Sequence, residues 1–343
     1  MRIAFGSIAA LLLLSVGLPA RAQAPAWSSR AAAAATLLEQ TWGTADGWKA
    51  SENWQRFPIA QILLDYQRRT GDTRLAAKIA AAVRNRAGRY LNDDDLWAVI
   101  ASVDAWESDH DPELLAWAAT NFTRLVSDHW DDHCGGGIWW DPRHGYKNAI
   151  TNELLLTAAT RLYRATGQQA YRDWSLHIWD WFAASGMIGP DGLVNDGLDP
   201  LCRNNGAPRY TYNQGVLLGG LNDLTAITGD PQYRAIAVRT ALAATRTLVT
   251  PQGLLTEPSD GLGADGPMFK GVFVFHLGHL VAAMPDGPDR TELSEWLTRN
   301  GDAVWALSGE GSQPVDGLWS GGSGQTGAAA EVSALALFLA AGA

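Results

Sequence analysis

Cysteine is scarce in this chain, with only Cys134 and Cys202 among 343 residues. So few cysteines exclude a small scaffold held together by disulfides, and their spacing from the histidines does not match a structural zinc site. Both cysteines fall in predicted loops, so the pair permits one disulfide, with two free thiols as the alternative. The sequence therefore predicts no bound metal.

Positive charge is also in short supply, since 26 Lys and Arg residues stand against 36 Asp and Glu residues. The net charge of −10 would repel a polyanion at long range, which argues against DNA, RNA and anionic membranes as partners. The same repulsion disfavours acidic polysaccharides. We therefore expect any polymeric ligand to be neutral.

Long apolar runs are absent beyond the first part of the chain. A basic start and the apolar segment 3–20 precede a small-x-small cleavage site that ends at Ala22. We predict a signal peptide over residues 1–22, followed by a single domain over residues 23–343. No later segment stays apolar long enough to span a membrane, so we expect a secreted or periplasmic protein that is monomeric.

Signals for β-strands are nearly absent, and neither a Walker motif nor a Rossmann fingerprint occurs, so we expect no cofactor. Helical periodicity is nearly continuous and is interrupted by short turn signals, such as Thr-Gly-Asp at 70–72 and at 228–230. Such turns place glycine after one helix and a capping residue before the next. The pattern predicts twelve helices, at 32–42, 54–70, 73–89, 93–108, 111–129, 147–166, 168–185, 210–228, 231–248, 268–284, 289–306 and 325–341.

The predicted helices alternate in character along the chain. Even-numbered helices such as 268–284 and 325–341 are apolar around most of their circumference, whereas odd-numbered helices carry a face with arginines. This alternation predicts an all-α fold, an (α/α)6 toroid of six helical hairpins with the even helices inside. Long connectors would then gather at one end of the ring, where function is usually placed. They are the segments 43–53, 130–146, 186–209, 249–267 and 307–324.

Three consecutive aspartates, Asp93 to Asp95, stand in the first turn of the predicted fourth helix. Capping and attraction to the helix dipole explain acidic side chains there, at about 0.3–1 kcal/mol each. Three in a row exceed what capping needs, and their charges repel one another. Neighbouring carboxyls about 5–6 Å apart suit the pair of acids that a retaining glycoside hydrolase uses.

A second acidic pair, Asp131-Asp132, lies in a glycine-rich loop between His129 and His133. A metal site is one interpretation, but spacing fixes no further ligand, and a solvated loop is the simpler one. We rank this pair second as a candidate catalyst, because no helix dipole favours its charge.

The chain has 16 Trp beside 8 Phe and 8 Tyr, and indole faces match the apolar faces of sugar rings. Packing between large helices is the alternative for many of these tryptophans. Neutral hydrogen-bonding residues also stand at the starts of predicted inner helices, which suits a neutral polyol better than an anion. N-capping by Thr211 or Asn213 explains only part of that run. The predicted substrate-binding residues are Trp97, Trp139, Trp140, Asp141, Lys147, Asn148, Asn152, Tyr212, Asn213 and Gln214.

Together these segments resemble glycoside hydrolase family 76, the bacterial and fungal endo-α-1,6-mannanases. The resemblance covers about residues 50–250 and rests on DDDLWAVIA (93–101), GGGIWWD (135–141), KNAITNELLLTAATRLYRATG (147–167), Trp181-Phe182 and TYNQGVLLGGLNDLTAITGD (211–230). It implies an (α/α)6 toroid and a retaining endo-hydrolase of α-1,6-linked mannose chains. Alignment on Trp97 implies Asp93 as the nucleophile and Asp94 as the acid/base. The family commonly has a second aromatic residue after that tryptophan, whereas this chain has Ala98, which implies a different neighbouring wall.

Three other functions are compatible with the sequence: a transglycosylase, a non-catalytic glycan-binding protein and a sugar epimerase, each on the same ring. An epimerase would need a pair of histidines at the mouth of the cavity. His276 and His279 fall deeper in a predicted inner helix, and we interpret them as core histidines.

Overall fold

The structure, a computed structural model, describes residues 26–50, 52–86, 91–258, 263–322 and 325–343. The predicted signal peptide at 1–22 lies outside these ranges. The described residues contain two short 3-10 turns, at Asn53–Gln55 and His133–Gly135, and twelve α-helices. The helices are α1 (Trp27–Trp42), α2 (Arg56–Thr70), α3 (Ala76–Arg84), α4 (Asn92–Asp109), α5 (Pro112–His129), α6 (Ala149–Thr166), α7 (Gln169–Ala184), α8 (Thr211–Thr228), α9 (Pro231–Thr247), α10 (Asp265–Ala283), α11 (Pro288–Leu307) and α12 (Ala328–Ala341).

Tight turns end the inner helices and begin the outer ones, as the turn signals predict. Gly167 and Gly229 follow α6 and α8 with φ of 69° and 77°, a left-handed conformation that glycine adopts without strain. Asp111 and Asp230 cap α5 and α9, where each side chain accepts a hydrogen bond from the backbone N–H two residues later. Each turn therefore reverses the chain within a few residues.

The even-numbered helices form a closed inner ring. Each contacts the next even helix along the chain, and α12 contacts α2 to close the circle. The odd-numbered helices pack outside against neighbouring inner helices, and α10 and α12 are buried along most of their length. The predicted all-α (α/α)6 toroid is confirmed. Among the described helices, none combines the length and the apolar character that crossing a membrane requires.

The two helix boundaries that differ most from the prediction lie where tertiary contacts are made. α1 starts at Trp27, ahead of its predicted start, since the Trp27 ring stacks on Phe338 with ring centroids 6.4 Å apart. α3 stops at Arg84, short of its predicted end, and the carbonyl of Asn85 accepts a hydrogen bond from the side chain of Arg56. Neither contact is visible in helical periodicity.

A polar network ties the inner helices together at the end of the ring that carries the tight turns. Arg161 of α6, only 12% exposed, pairs with Asp104 of α4 and lies 3.6 Å from Asp223 of α8. Gln61 of α2 donates a hydrogen bond to Asp104 Oδ2 at 2.7 Å. One guanidinium therefore connects three inner helices directly and a fourth through Asp104.

His276 of α10 lies buried near this network, and burial lowers its pKa well below the usual range, so the ring stays neutral. It is a core histidine, as predicted. His279 is partly exposed and lies with Nε2 3.4 Å from Asp65 Oδ2 of α2.

Arg161→Met should lower the free energy of unfolding by about 3–5 kcal/mol, because it leaves two largely buried carboxylates without their shared cation. Denaturant unfolding measures the change. Arg164→Met is the matched control, since Arg164 pairs with the same Asp223 at 3.2 Å but is 46% exposed, and its loss should cost at most about 1 kcal/mol. Equal losses in the two variants would contradict a bridging role for Arg161.

Candidate active site

One cavity of about 420 Å³ opens at the end of the ring where the long connectors meet the first turns of the inner helices. Its lining combines acidic groups with aromatic rings, and these residues come from the three inner helices α4, α8 and α10 and from the connectors that precede inner helices. The lining residues are Glu52, Asn53, Trp54, Leu91, Asp93, Asp94, Trp97, Trp140, Tyr146, Asn148, Asp196, Tyr210, Tyr212, Asp265 and Phe269.

The first turn of α4 brings Asp93 and Asp94 to the cleft together. Asp93 accepts hydrogen bonds at both oxygens, from Trp140 Nε1 and from the backbone N–H of Asp94, each at 2.9 Å. Asp94 Oδ2 accepts a longer one, at 3.4 Å, from the N–H of Leu91. The third aspartate, Asp95, does not line the cleft and instead forms an ion pair with Arg124 of α5.

Burial and the charge of Asp94 raise the pKa of Asp93 to about 7, although the two N–H donors oppose the shift. Two carboxyls this close titrate as a pair, so the site holds one proton below about pH 7. A pair with one ionised and one protonated member can act as nucleophile and acid at the same time.

Aromatic rings form one wall of the cleft. Trp54 stacks on Trp97 with ring centroids 5.7 Å apart, and Phe269 lies 6.0 Å from Trp54. Tyr212 stacks on Phe269 at 3.8 Å with an interplanar angle of 14°. Such a wall offers apolar faces on which the faces of a neutral sugar can stack.

Other parts of the lining are hydrogen-bonding groups from two connectors. Tyr146 donates its hydroxyl hydrogen to Asp196 Oδ2 at 2.8 Å and accepts a hydrogen bond from Asn205 Nδ2 at 2.8 Å. Burial raises the pKa of Asp196. Asn148 caps α6 by accepting a hydrogen bond from the backbone N–H of Thr151, and Asn148 also lines the cleft.

Four of the ten predicted substrate-binding residues line the cleft, and six do not. The four are Trp97, Trp140, Asn148 and Tyr212; the six are Trp139, Asp141, Lys147, Asn152, Asn213 and Gln214. These six lie outside this lining, and their side chains are engaged in holding the connectors and neighbouring groups.

Trp139 and Lys147 lie outside the cleft lining and stabilise the glycine-rich loop. Trp139 Nε1 donates to Asp131 Oδ2 at 2.8 Å, and its ring stacks between His133 and His144. Lys147 is buried and donates to Asp131 Oδ1 and to the carbonyls of two loop residues.

The pair ranked second as a candidate catalyst, Asp131 and Asp132, does not line the cleft. Asp132 is exposed.

The amides among the six bind connector backbone. Asn152 accepts from Ile138 N at 2.8 Å and donates to Ile138 O at 3.1 Å. Gln214 does the same to Val194, at 2.8 and 2.9 Å. Buried backbone groups without regular partners need such side chains.

Asp141 and Asn213 are engaged next to the cleft rather than in it. Asp141 accepts from the backbone N–H groups of Arg143 and Gly145, at 2.8 and 3.0 Å, and so closes its own turn. Asn213 Nδ2 donates to Asp196 Oδ1 at 3.4 Å.

Several cleft residues escaped the sequence analysis, among them Trp54, Tyr146, Asp196 and Asp265. Trp54 Nε1 donates to Asp265 Oδ1 at 3.0 Å; Trp54 lies in the 3-10 turn before α2, and Asp265 is the first residue of α10. Only Trp54 stood at the start of a predicted helix, the signal used for the other candidates, because the predicted tenth helix begins later, at 268. Tyr146 and Asp196 lie at the end of one connector and inside another, where no local pattern points to them.

Cys134 and Cys202 form a disulfide, which is the first of the two alternatives that the sequence left open. The bond ties the glycine-rich connector to the connector that carries Asp196. In the described part of the chain, the one close group of three possible metal ligands is His133 with these two cysteines, and the disulfide takes up both sulfurs.

Paired carboxyls in a cleft are an arrangement that glycoside hydrolases use. The chain belongs to glycosyl hydrolase family 76, whose sequence model matches residues 27–342. The resemblance predicted from the motifs is therefore confirmed.

Two relatives of this chain share the same name. The chain is 28% identical to mannan endo-1,6-alpha-mannosidase DCW1 of Saccharomyces cerevisiae, over 84% of this chain and 70% of that protein. It is also 28% identical to the protein of the same name from Candida glabrata, over 71% of this chain and 61% of the relative. Each relative is thus longer than the part that this chain matches.

A solved structure with the same ring is an inactive variant of an α-1,6-mannanase from Salegentibacter sp. HEL1_6, with two consecutive aspartates replaced by asparagine, in complex with α-1,6-mannotriose. The TM-score is 0.82 at 22% identity, and the match covers 92% of this chain and 99% of that one. At this identity the likeness shows the shared fold.

Replacing both cysteines by serine should lower the free energy of unfolding by about 4 kcal/mol, because the disulfide closes a long loop in the unfolded chain. The separation is 68 residues. Denaturant unfolding with and without a thiol reductant checks the prediction. Reductant should destabilise the wild type to the level of the variant and leave the variant unchanged; an unchanged wild type would contradict it.

Proposed function

We propose that this chain is a retaining, endo-acting glycoside hydrolase that cleaves α-1,6-mannosidic linkages, with Asp93 and Asp94 as its catalytic pair. The observation that carries the proposal is the adjacent carboxyl pair in the first turn of α4, facing an aromatic cleft. The curated relatives support the substrate, since both are named mannan endo-1,6-alpha-mannosidases. The inactive relative that lacks two consecutive aspartates supports the pair.

Retention follows from adjacency. Inverting enzymes hold their two carboxyls about 6.5–9.5 Å apart to leave room for a water molecule, whereas retaining enzymes need about 5–5.5 Å. Side chains of consecutive residues in one helical turn suit the shorter spacing. The carboxylate that acts as nucleophile forms a covalent bond to the anomeric carbon as the glycosidic bond breaks. Water later hydrolyses that covalent bond.

The hydrogen bonds favour Asp93 as the nucleophile. Both of its oxygens accept N–H donors, which stabilise the ionised form and fix its position beneath the sugar. The two carboxyls share the proton that gives Asp93 its pKa of about 7, and the mechanism requires this proton to be on Asp94 when the glycosidic oxygen arrives. Asp94 protonates the leaving oxygen and afterwards takes a proton from the attacking water.

The walls of the cleft suit a neutral sugar chain. Trp54, Trp97 and the Tyr212–Phe269 stack provide apolar faces for pyranose rings. Asp196 and Tyr146, which also line the cleft, provide an acceptor and a hydroxyl for sugar hydroxyl groups.

Asp94→Asn should lower kcat at least about 100-fold on α-1,6-mannan oligosaccharides, because it removes proton transfer to the leaving oxygen. Asp93→Asn should lower it at least as much, because the covalent intermediate cannot form. Release of reducing ends measures both effects.

Asp95→Asn is the matched control, in the same helical turn but paired with Arg124 outside the cleft, and should keep wild-type activity. Proton NMR of the first product should show the α-anomer. An initial β-anomer would overturn retention, and products longer than the substrate would assign a transglycosylase instead.

The kcat/KM of the wild type should fall about tenfold per pH unit above about pH 7, because the pair then loses its one proton. Trp140→Phe removes a donor that stabilises ionised Asp93, so the fall should move to higher pH by up to about one unit. Trp139→Phe removes a similar indole donor outside the cleft and should leave the pH profile in place. Identical profiles for the three proteins would contradict this account of the pair.

We also propose that residues 1–22 direct export and are removed, so that the domain 23–343 acts as a secreted or periplasmic monomer. The apolar segment 3–20, the cleavage site and the disulfide support export. Mass spectrometry of the exported protein should find Gln23 as its first residue, and light scattering should give the mass of one chain. An intact N-terminus would contradict the cleavage.

A further inference from the structure

A buried glutamate lies behind the cleft without a hydrogen-bond partner. Glu153 belongs to the second turn of α6 and is 1% exposed. Both of its carboxyl oxygens are buried, and among the described residues neither has a hydrogen-bond partner. Because an unsatisfied buried polar group is costly, a carboxyl held in this way calls for an explanation.

A second unsatisfied atom lies in the neighbouring inner helix. Asn213 stands in the first turn of α8, which packs against α6, and its residue is fully buried. Its Nδ2 donates to Asp196 Oδ1 at 3.4 Å, whereas its Oδ1 is buried and has no hydrogen-bond partner within the described chain. One acceptor next to the cleft therefore lacks a donor.

Glu153 can supply that donor when it carries its proton. Burial, and then the nearby charge of Asp196, raise the pKa of Glu153 well above its usual range, which favours the neutral carboxyl with its one O–H.

We propose that Glu153 is a positioning residue whose O–H donates to Asn213 Oδ1, directly or through one water, and so orients the amide that holds Asp196 at the cleft. The proposal rests on the proposed function, in which Asp196 accepts a hydrogen bond from a sugar hydroxyl. With Tyr146 donating to the other oxygen, Asp196 is then held at Oδ1 and Oδ2. Glu153 itself does not line the cleft.

The first experiment compares Glu153→Gln with Glu153→Leu on α-1,6-mannotetraose. Gln keeps an N–H donor at nearly the same place, so its KM should stay within about threefold of the wild type. Leu has a similar volume and no donor, so its KM should rise about 10-fold to 100-fold while kcat changes less. An equal rise in both variants would overturn the proposal, because it would point to packing alone.

Glu331 provides the matched control. It is also a buried glutamate of an inner helix, but its Oε2 already accepts a hydrogen bond from the backbone N–H of Val315. Glu331→Leu should therefore cost stability without raising KM. A rise in KM equal to that of Glu153→Leu would show that any buried glutamate of the ring acts in this way, and would overturn the specific role.

The second experiment is a double-mutant cycle between Glu153→Leu and Asn213→Leu, read from the free energy of unfolding. Coupled residues give non-additive losses, whereas independent ones add. Additive losses would overturn the hydrogen bond. This cycle needs no turnover, so a wild type that cleaves no mannan would refute the proposed function and still leave the contact between the two residues tested.

Discussion

The cleft depends on a constraint of the backbone: its connectors contain almost no regular structure, so their buried N–H and C=O groups need partners from elsewhere. Amides of the inner helices provide them, as Asn152 does for Ile138 and Gln214 for Val194, each pairing with both backbone groups as a neighbouring strand would. These hydrogen bonds hold the irregular connectors against the ring of inner helices. Cleft residues that lie on connectors, such as Trp140 and Tyr146, therefore depend for their positions on helix side chains that do not line the cleft themselves.

The second governing feature is the direction of the inner helices. All six begin at the cleft end, so the partial positive charges of their N-termini point towards it. Burial raises the pKa values of Asp93, Asp196 and Asp265, and hydrogen bonds donated to these carboxyls act against that shift. At Asp93 the pKa reaches about 7.

The ring and the acidic pair were predictable because both are local patterns. Helical periodicity and turn residues repeat within a few positions, and three aspartates in a first turn stand out. The connectors were harder, since neighbouring side chains of extended backbone point to opposite sides. Trp139 and Trp140 look alike in sequence, yet only Trp140 meets the cleft. Asp196 accepts a hydrogen bond from Tyr146, fifty residues away in sequence, and no local pattern in the sequence predicts such a contact.

The disulfide has a consequence for making this protein. A chain with two cysteines can pair them in only one way, so oxidation yields a single covalent product and no isomerase is needed to sort alternatives. The bond joins two surface loops and crosses none of the contacts between inner helices. Protein made under reducing conditions should therefore form the same ring of helices, with the two loops untied and with the lower free energy of unfolding that follows from an unconstrained unfolded chain.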